Sequence, residues 1–189
     1  MLIILDNGHG KETPGKRSPK WEDGSQLFEY EFNRDIVRRI ASKLEQHNIP
    51  YYILVPELED ISLSERCKRA NNIYKDNKDC MLLSIHANAG GGTGWEAYTS
   101  IGNTKSDTYA TILYQKAKEY FPDWKIRKDE SDGDPDKEDN FYILKHTSCP
   151  AVLTENFFMD TKKDCAYILS EEGRENIANM HVDAILNFK

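Results

Sequence analysis

The chain has 189 residues, 39% of them hydrophobic and 30% charged, which suits one soluble domain (1–189) with a proper core. A net charge of −7 argues against nucleic-acid binding, which needs clustered Lys and Arg with few competing carboxylates. No apolar run approaches the ~18 residues of a membrane-crossing helix, so no membrane insertion is expected.

Leu2-Ile3-Ile4-Leu5 reads as a first strand, beginning at once after Met1 with no signal peptide before it. Asp6-Asn7-Gly8-His9-Gly10 ends that strand in glycines, which let the backbone turn sharply and carry the imidazole forward. A loop histidine between turn glycines is the plainer alternative. A loop rich in Gly, Pro, Lys and Ser runs from Gly8 to Gly24. A helix is predicted from about Tyr30 to His47, with Phe32, Ile36, Val37, Ile40, Ala41 and Leu44 on one stripe, stopped by Asn48 and Pro50. Glu29 stands just before it, where the helix dipole keeps a carboxylate ionised. That suits a hard oxygen ligand, although a first-turn Glu more commonly only caps. Glu31 is the rival and points to a different helix face. His47, at the helix C-terminus, fits the dipole there.

Tyr51–Val55 is the second predicted strand, and Ser62 opens a second helix with Glu65 as its capping-box partner. Met81–His86 is the third strand. His86 closes it and is followed only by small residues, leaving room for a ligand; a hydrogen-bonded core histidine is the alternative. A glycine cluster (Gly90, Gly91, Gly92, Gly94) leads into Trp95-Glu96-Ala97-Tyr98. Because the cluster runs into a strand and not a helix N-terminus, it is a poor phosphate cradle.

A helix from about Asp107 to Tyr120 follows. Lys128–Asn140, acidic and broken by Gly133 and Pro135, is expected as a solvated surface loop, the alternative being a flexible wall of a substrate groove. Phe141–Leu144 and Ala151–Thr154 read as short strands. Glu155 closes the latter among apolar neighbours, which raise a carboxyl pKa toward that of a neutral-pH proton shuttle. A last helix spans about Glu171–Phe188, with His181 expected on its solvent face. The four cysteines (Cys67, Cys80, Cys149, Cys165) form no C-x-x-C pair and read as reduced structural thiols.

The alternation of strands and helices predicts an α/β fold with a largely parallel sheet. In such a sheet, side chains at the strands' carboxyl ends converge on one rim. His9, His86 and Glu155 each follow such a strand, and two histidines with a carboxylate are the makings of a hydrolytic metal site.

At these residues the chain resembles the zinc-dependent type-3 family of N-acetylmuramoyl-L-alanine amidases, cell-wall hydrolases of bacteria and their phages. The resemblance rests on Gly8-His9-Gly10, Glu29 with Asn33, Arg66 with Ala70-Asn71, Ser84–Ala89, Gly94-Trp95-Glu96-Ala97-Tyr98, and Pro150–Glu155 followed by Phe157-Phe158. It implies one zinc ion held by His9, Glu29 and His86, with Glu155 as catalytic acid/base. It also implies a twisted, mostly parallel or mixed sheet of about six strands flanked by helices. Asn88, Glu96, His146 and Asn156 are the candidate substrate-binding residues. The implied substrate is peptidoglycan, cut at the amide between N-acetylmuramic acid and L-alanine by a monomer acting at the cell wall, in the periplasm or outside the cell. A phage lysin released through a holin, or a trimmed leader, would account for the missing signal peptide. A zinc peptidase cutting within the stem peptide and an inactive peptidoglycan-binding module are the competing readings. The chain departs from the family at Lys11-Glu12-Thr13-Pro14, where many members carry another glycine, and in the acidic 129–139 stretch.

Overall fold

The computed structural model describes residues 1–188. Six strands, β1 (Leu2–Asn7), β2 (Tyr51–Ile53), β3 (Cys80–Asn88), β4 (Trp95–Thr99), β5 (Lys137–Glu138) and β6 (Ala151–Phe158), form one sheet in the order β2-β1-β3-β6-β4-β5. β1, β2, β3 and β6 run parallel, whereas β4 pairs antiparallel with β6, so the sheet is mixed. Helices α1 (Glu29–Gln46), α2 (Leu63–Asp76), α3 (Lys105–Tyr120), α4 (Tyr142–Lys145), α5 (Lys162–Leu169) and α6 (Glu171–Ile185) flank it.

The central strands are apolar on both faces, as parallel strands covered by helices must be. Alternation then sorts their side chains. Ile3, Leu5, Leu83, Ile85 and Val152 face a large core shared with α1, α3, α5 and α6. Ile4, Leu82 and Leu153 face a smaller core with Cys67 and Ala70 of α2 and Ile143 and Leu144 of α4. On this second face the helical cover is short. The carboxyl ends of β1, β3 and β6 are left open beyond it, and a cleft forms there.

Four expectations change. Phe141–Leu144 is not a strand: Tyr142–Lys145 makes one helical turn, because its apolar residues Ile143 and Leu144 pack down onto the smaller core. Ala151–Thr154 is only the first half of β6, so Glu155 lies within a strand and not at its end. α5 was not expected at all. The reciprocal capping box at α2 is half formed: Ser62 Oγ accepts from Glu65 N at 3.3 Å, while the Glu65 carboxylate turns to Arg69.

His181 is also misplaced by the sequence reading. It is fully buried, accepting from Thr154 Oγ1 across 3.0 Å and donating from Nδ1 to the Ile177 carbonyl at 2.7 Å. Burial pushes its pKa down to about 4. The fold therefore favours the neutral ring, and stability is full above pH ~6.5, where the unfolded histidine is neutral too, and falls as pH drops toward 4. That shift corresponds to a loss on the order of 3 kcal/mol. We expect the stability gap between wild type and His181→Leu, measured by urea unfolding at pH 7.5 and pH 4, to move by that amount in the variant's favour. Parallel curves would show that His181 carries none of the acid sensitivity.

Candidate metal centre and cleft

The Gly8-His9-Gly10 turn is held from three sides. Asn33 Nδ2 donates to the Gly8 carbonyl at 3.0 Å, and Arg34 Nη1 and Arg66 Nη2 donate to the His9 carbonyl at 2.9 and 3.2 Å. Arg66 is itself anchored by Asp6 Oδ1 at 2.7 Å, and Ser84 Oγ donates to Asp6 Oδ2 at 2.6 Å. This buried network binds the ends of β1 and β3 to α1 and α2, and it holds His9 at a left-handed φ of 63°. Gly8 is required by close approach: a Cβ there would lie 2.0 Å from His86 Cε1. The His86 ring thus lies over the Gly8 backbone and meets the His9 ring edge to face, 4.9 Å between centroids.

Glu29 is the first residue of α1 and only 1% exposed. Its backbone N–H donates to the Lys16 carbonyl at 3.1 Å, and an antiparallel bridge joins Arg17 to Phe28. Its carboxylate reaches between the two histidines, with Oε1 3.1 Å from His86 Nδ1 and 3.3 Å from His9 Nε2. One nitrogen or oxygen from each of His9, Glu29 and His86 falls within a 4.8 Å group. Glu31 is exposed and accepts from its neighbour's Tyr30 hydroxyl.

Burial would raise the Glu29 pKa, but the flanking His86 and His9 outweigh it and hold the carboxyl well below its usual range. Burial lowers the His9 pKa, keeping a lone pair on the ring. Two imidazoles and one carboxylate are a zinc donor set, and three ligands leave a fourth position open. Two atoms support the fit: His9 Nε2 and Glu29 Oε2 are buried with no hydrogen-bond partner among the described residues.

Strand register places Glu155 beside this group. His86 on β3 is level with Glu155 on β6, which is level with Glu96 on β4, so the three share one sheet face. Burial, with the nearby Glu29 charge, pushes the Glu155 carboxyl up to about 7 against the lowering effect of His86. Its Oε2 is buried and meets no donor among the described residues.

Two adjoining hollows of about 290 and 210 Å³ open over the group. Leu63 and Ile143 line both, Thr13 and Asp60 bound one end, and Phe141, Tyr142 and Lys16 the other.

The four candidate substrate contacts are placed differently. Asn156 is fully buried on the opposite sheet face. It accepts from Trp95 Nε1 and donates to the His86 carbonyl, both at 3.0 Å, so alternation along β6 removes it from the cleft. His146 is exposed and stacks on Tyr142 outside the cleft, its loop pinned by Asn71. Glu96 is 2% exposed and already surrounded: Asn88 and Tyr98 donate to one oxygen, Arg127 and Lys137 to the other at 2.7 and 2.8 Å. Asn88 is half-buried and occupied by that contact. These two brace the cleft floor.

Lys16 was missed. Its ammonium lies 3.7 Å from Glu29 Oε2 and lines the cleft with His9, His86 and Glu155. The available signal was its place in the loop that departs from the family pattern.

The chain is 29% identical to the N-acetylmuramoyl-L-alanine amidase CwlM of Bacillus licheniformis over 186 residues, covering 98% of this chain and 67% of that protein. It is 30% identical to the endolysin of Bacillus phage SPP1 over 204 residues, covering all of this chain and 67% of the endolysin. The chain thus spans about two thirds of the length of these relatives. Among solved structures, the N-acetylmuramoyl-L-alanine amidase of Clostridium difficile 630 superposes with a TM-score of 0.81 at 26% identity, covering 98% of this chain and 94% of that one. The Amidase_3 family, described as N-acetylmuramoyl-L-alanine amidase, matches residues 3–187, and this chain belongs to it.

Proposed function

We propose that the chain cuts the amide joining the lactyl group of N-acetylmuramic acid to L-alanine in peptidoglycan, with zinc held by His9, Glu29 and His86 and with Glu155 as acid/base. The observation that carries this reading is the convergence of the three donor side chains within 4.8 Å at the open rim of the sheet, level with a glutamate whose carboxyl burial pushes up.

When bound, zinc supplies Lewis acidity, acidifying the attacking water and polarising the scissile carbonyl. The residues of the chain do the rest. Glu155 accepts a proton from the water as its oxygen attacks the carbonyl carbon. It returns that proton to the alanine nitrogen as the C–N bond breaks, leaving a muramic carboxylate and a free stem-peptide amine. A pKa near the working pH suits a group that must take and give the same proton. Lys16 places positive charge on the cleft wall where negative charge grows on the carbonyl oxygen. Leu63, Phe141 and Ile143 give the cleft an apolar wall beside the bond.

Peptidoglycan is therefore the proposed partner and the cell wall the proposed place of action, for a monomer. No helix among the described residues is long and apolar enough to cross a membrane. The test is mass spectrometry of digested peptidoglycan. Intact stem peptides with a free L-alanine amine, released in a chelator-sensitive reaction, are expected. Shortened stems would replace this reading with a zinc peptidase, and binding without cleavage with an inactive wall-binding module.

A further inference from the structure

The acidic 128–140 segment does more than the solvated loop expected of it. Residues 131–133 are exposed, but Lys137–Glu138 adds strand β5 to the sheet edge, and Asp136 is only 2% exposed. Thr99, the last residue of β4, donates from Oγ1 to Asp136 Oδ2 at 2.7 Å. The other oxygen, Oδ1, is buried and reached by no donor among the described residues, and the same holds for Oδ1 of Asp134. The two carboxyl groups lie side by side, with Asp107 of α3 adding negative charge nearby.

No ion pair among the described residues neutralises Asp107, Asp134 or Asp136. Lys137, the basic residue next in sequence, is committed to Glu96 on the other side of the strand. Buried carboxylates without a counter-charge are costly, so the pair must hold either a proton or a cation. Burial and a hydrogen bond with the adjacent Asp134 push the Asp136 carboxyl up to about 8, so a proton shared by the pair is the competing occupant.

The sequence favours a cation. Asp132, Asp134 and Asp136 recur at every second residue around Gly133, whose φ of 113° makes the turn. Alternate oxygen-bearing residues on a glycine turn are how loops present hard ligands to calcium.

We propose that Asp134 and Asp136 form a calcium site, binding the ion through their unpartnered oxygens, with water completing the shell from the exposed side. The cation would fix the segment that carries Lys137 to Glu96, and Glu96 is level with Glu155 across β4 and β6. It thereby ties the order of the loop to the cleft floor without touching the zinc ligands.

The experiment titrates calcium chloride into zinc-loaded protein by calorimetry and follows thermal unfolding, with magnesium chloride as the ionic control. One calcium per chain is expected, with a dissociation constant on the order of 10⁻⁴–10⁻³ M, as in extracellular calcium modules. The melting temperature should rise by about 3–6 °C at tenfold excess over that constant. Asp136→Asn should abolish both effects while zinc content stays unchanged. Asp134→Asn, at a half-buried position, keeps the test open should the first variant not fold. Wild type without calcium heat or shift would overturn the proposal in favour of a shared proton. An undiminished response in both variants would overturn it too, by placing calcium elsewhere.

Discussion

Replacing Glu155 with glutamine should lower kcat by about 10²–10⁴-fold while zinc content and fold are retained. The amide keeps the shape and can still hydrogen-bond, but it cannot accept the water's proton or return it to the amine. Because Glu155 stands level with His86 without belonging to the His9–Glu29–His86 group, its loss should leave metal affinity nearly untouched. KM should also change little, since the interaction removed is made in the transition state. Steady-state kinetics on a muramoyl-dipeptide, with metal analysis of the same preparation, decide the point. Activity within tenfold of wild type would move the proton shuttle to another residue.

Removing a member of the metal-binding group should act the other way, on the metal first. Glu29→Gln or His86→Ala should weaken zinc by more than the 10–100-fold typical of losing an outer-shell partner, because a donor itself is lost. Glu29 is the sharper case. It is buried between two imidazoles, and an amide there supplies no negative charge to balance the ion. Activity should then track zinc occupancy and recover in part at high zinc, unlike Glu155→Gln, which no added metal rescues. A chelator-competition titration reads the affinity. A variant that keeps stoichiometric zinc at wild-type affinity would place the ion elsewhere.

The residues of the site also separate what the sequence exposed from what it hid. His9 and His86 were visible because each ends an apolar strand beside small residues, a local pattern that needs no tertiary knowledge. His181 was equally legible in principle. Ile177, His181 and Ala184 are spaced four and three apart, which puts the histidine on the apolar stripe of α6 and not on its wet face. Phe141–Leu144 was not legible, since a four-residue apolar run fits a buried strand or a helical turn equally well. Within the acidic segment, contacts with Thr99 and Glu96 and pairing with β4 distinguish Asp136 and Lys137 from exposed residues 131–133, and none of these is local in sequence.

By itself, the sequence determined the α/β alternation, the glycine turn at His9 and the histidine that follows the apolar run of β3, a strand that in the fold continues two residues past it to Asn88. These follow from periodicity and residue chemistry over a few neighbouring positions. The tertiary structure decided which carboxylate does what. Glu29, Glu31, Glu96 and Glu155 are the same side chain, and in the fold one is pressed between imidazoles, one is in solvent, one is neutralised by Arg127 and Lys137, and one is half-buried beside His86 with no ion-pair partner. A carboxylate's role is set by its desolvation and by the charges within a few ångströms. Those charges arrive from the turn after β1, from β3, from Arg127 and from Lys137 of β5, remote along the chain and adjacent only once it has folded.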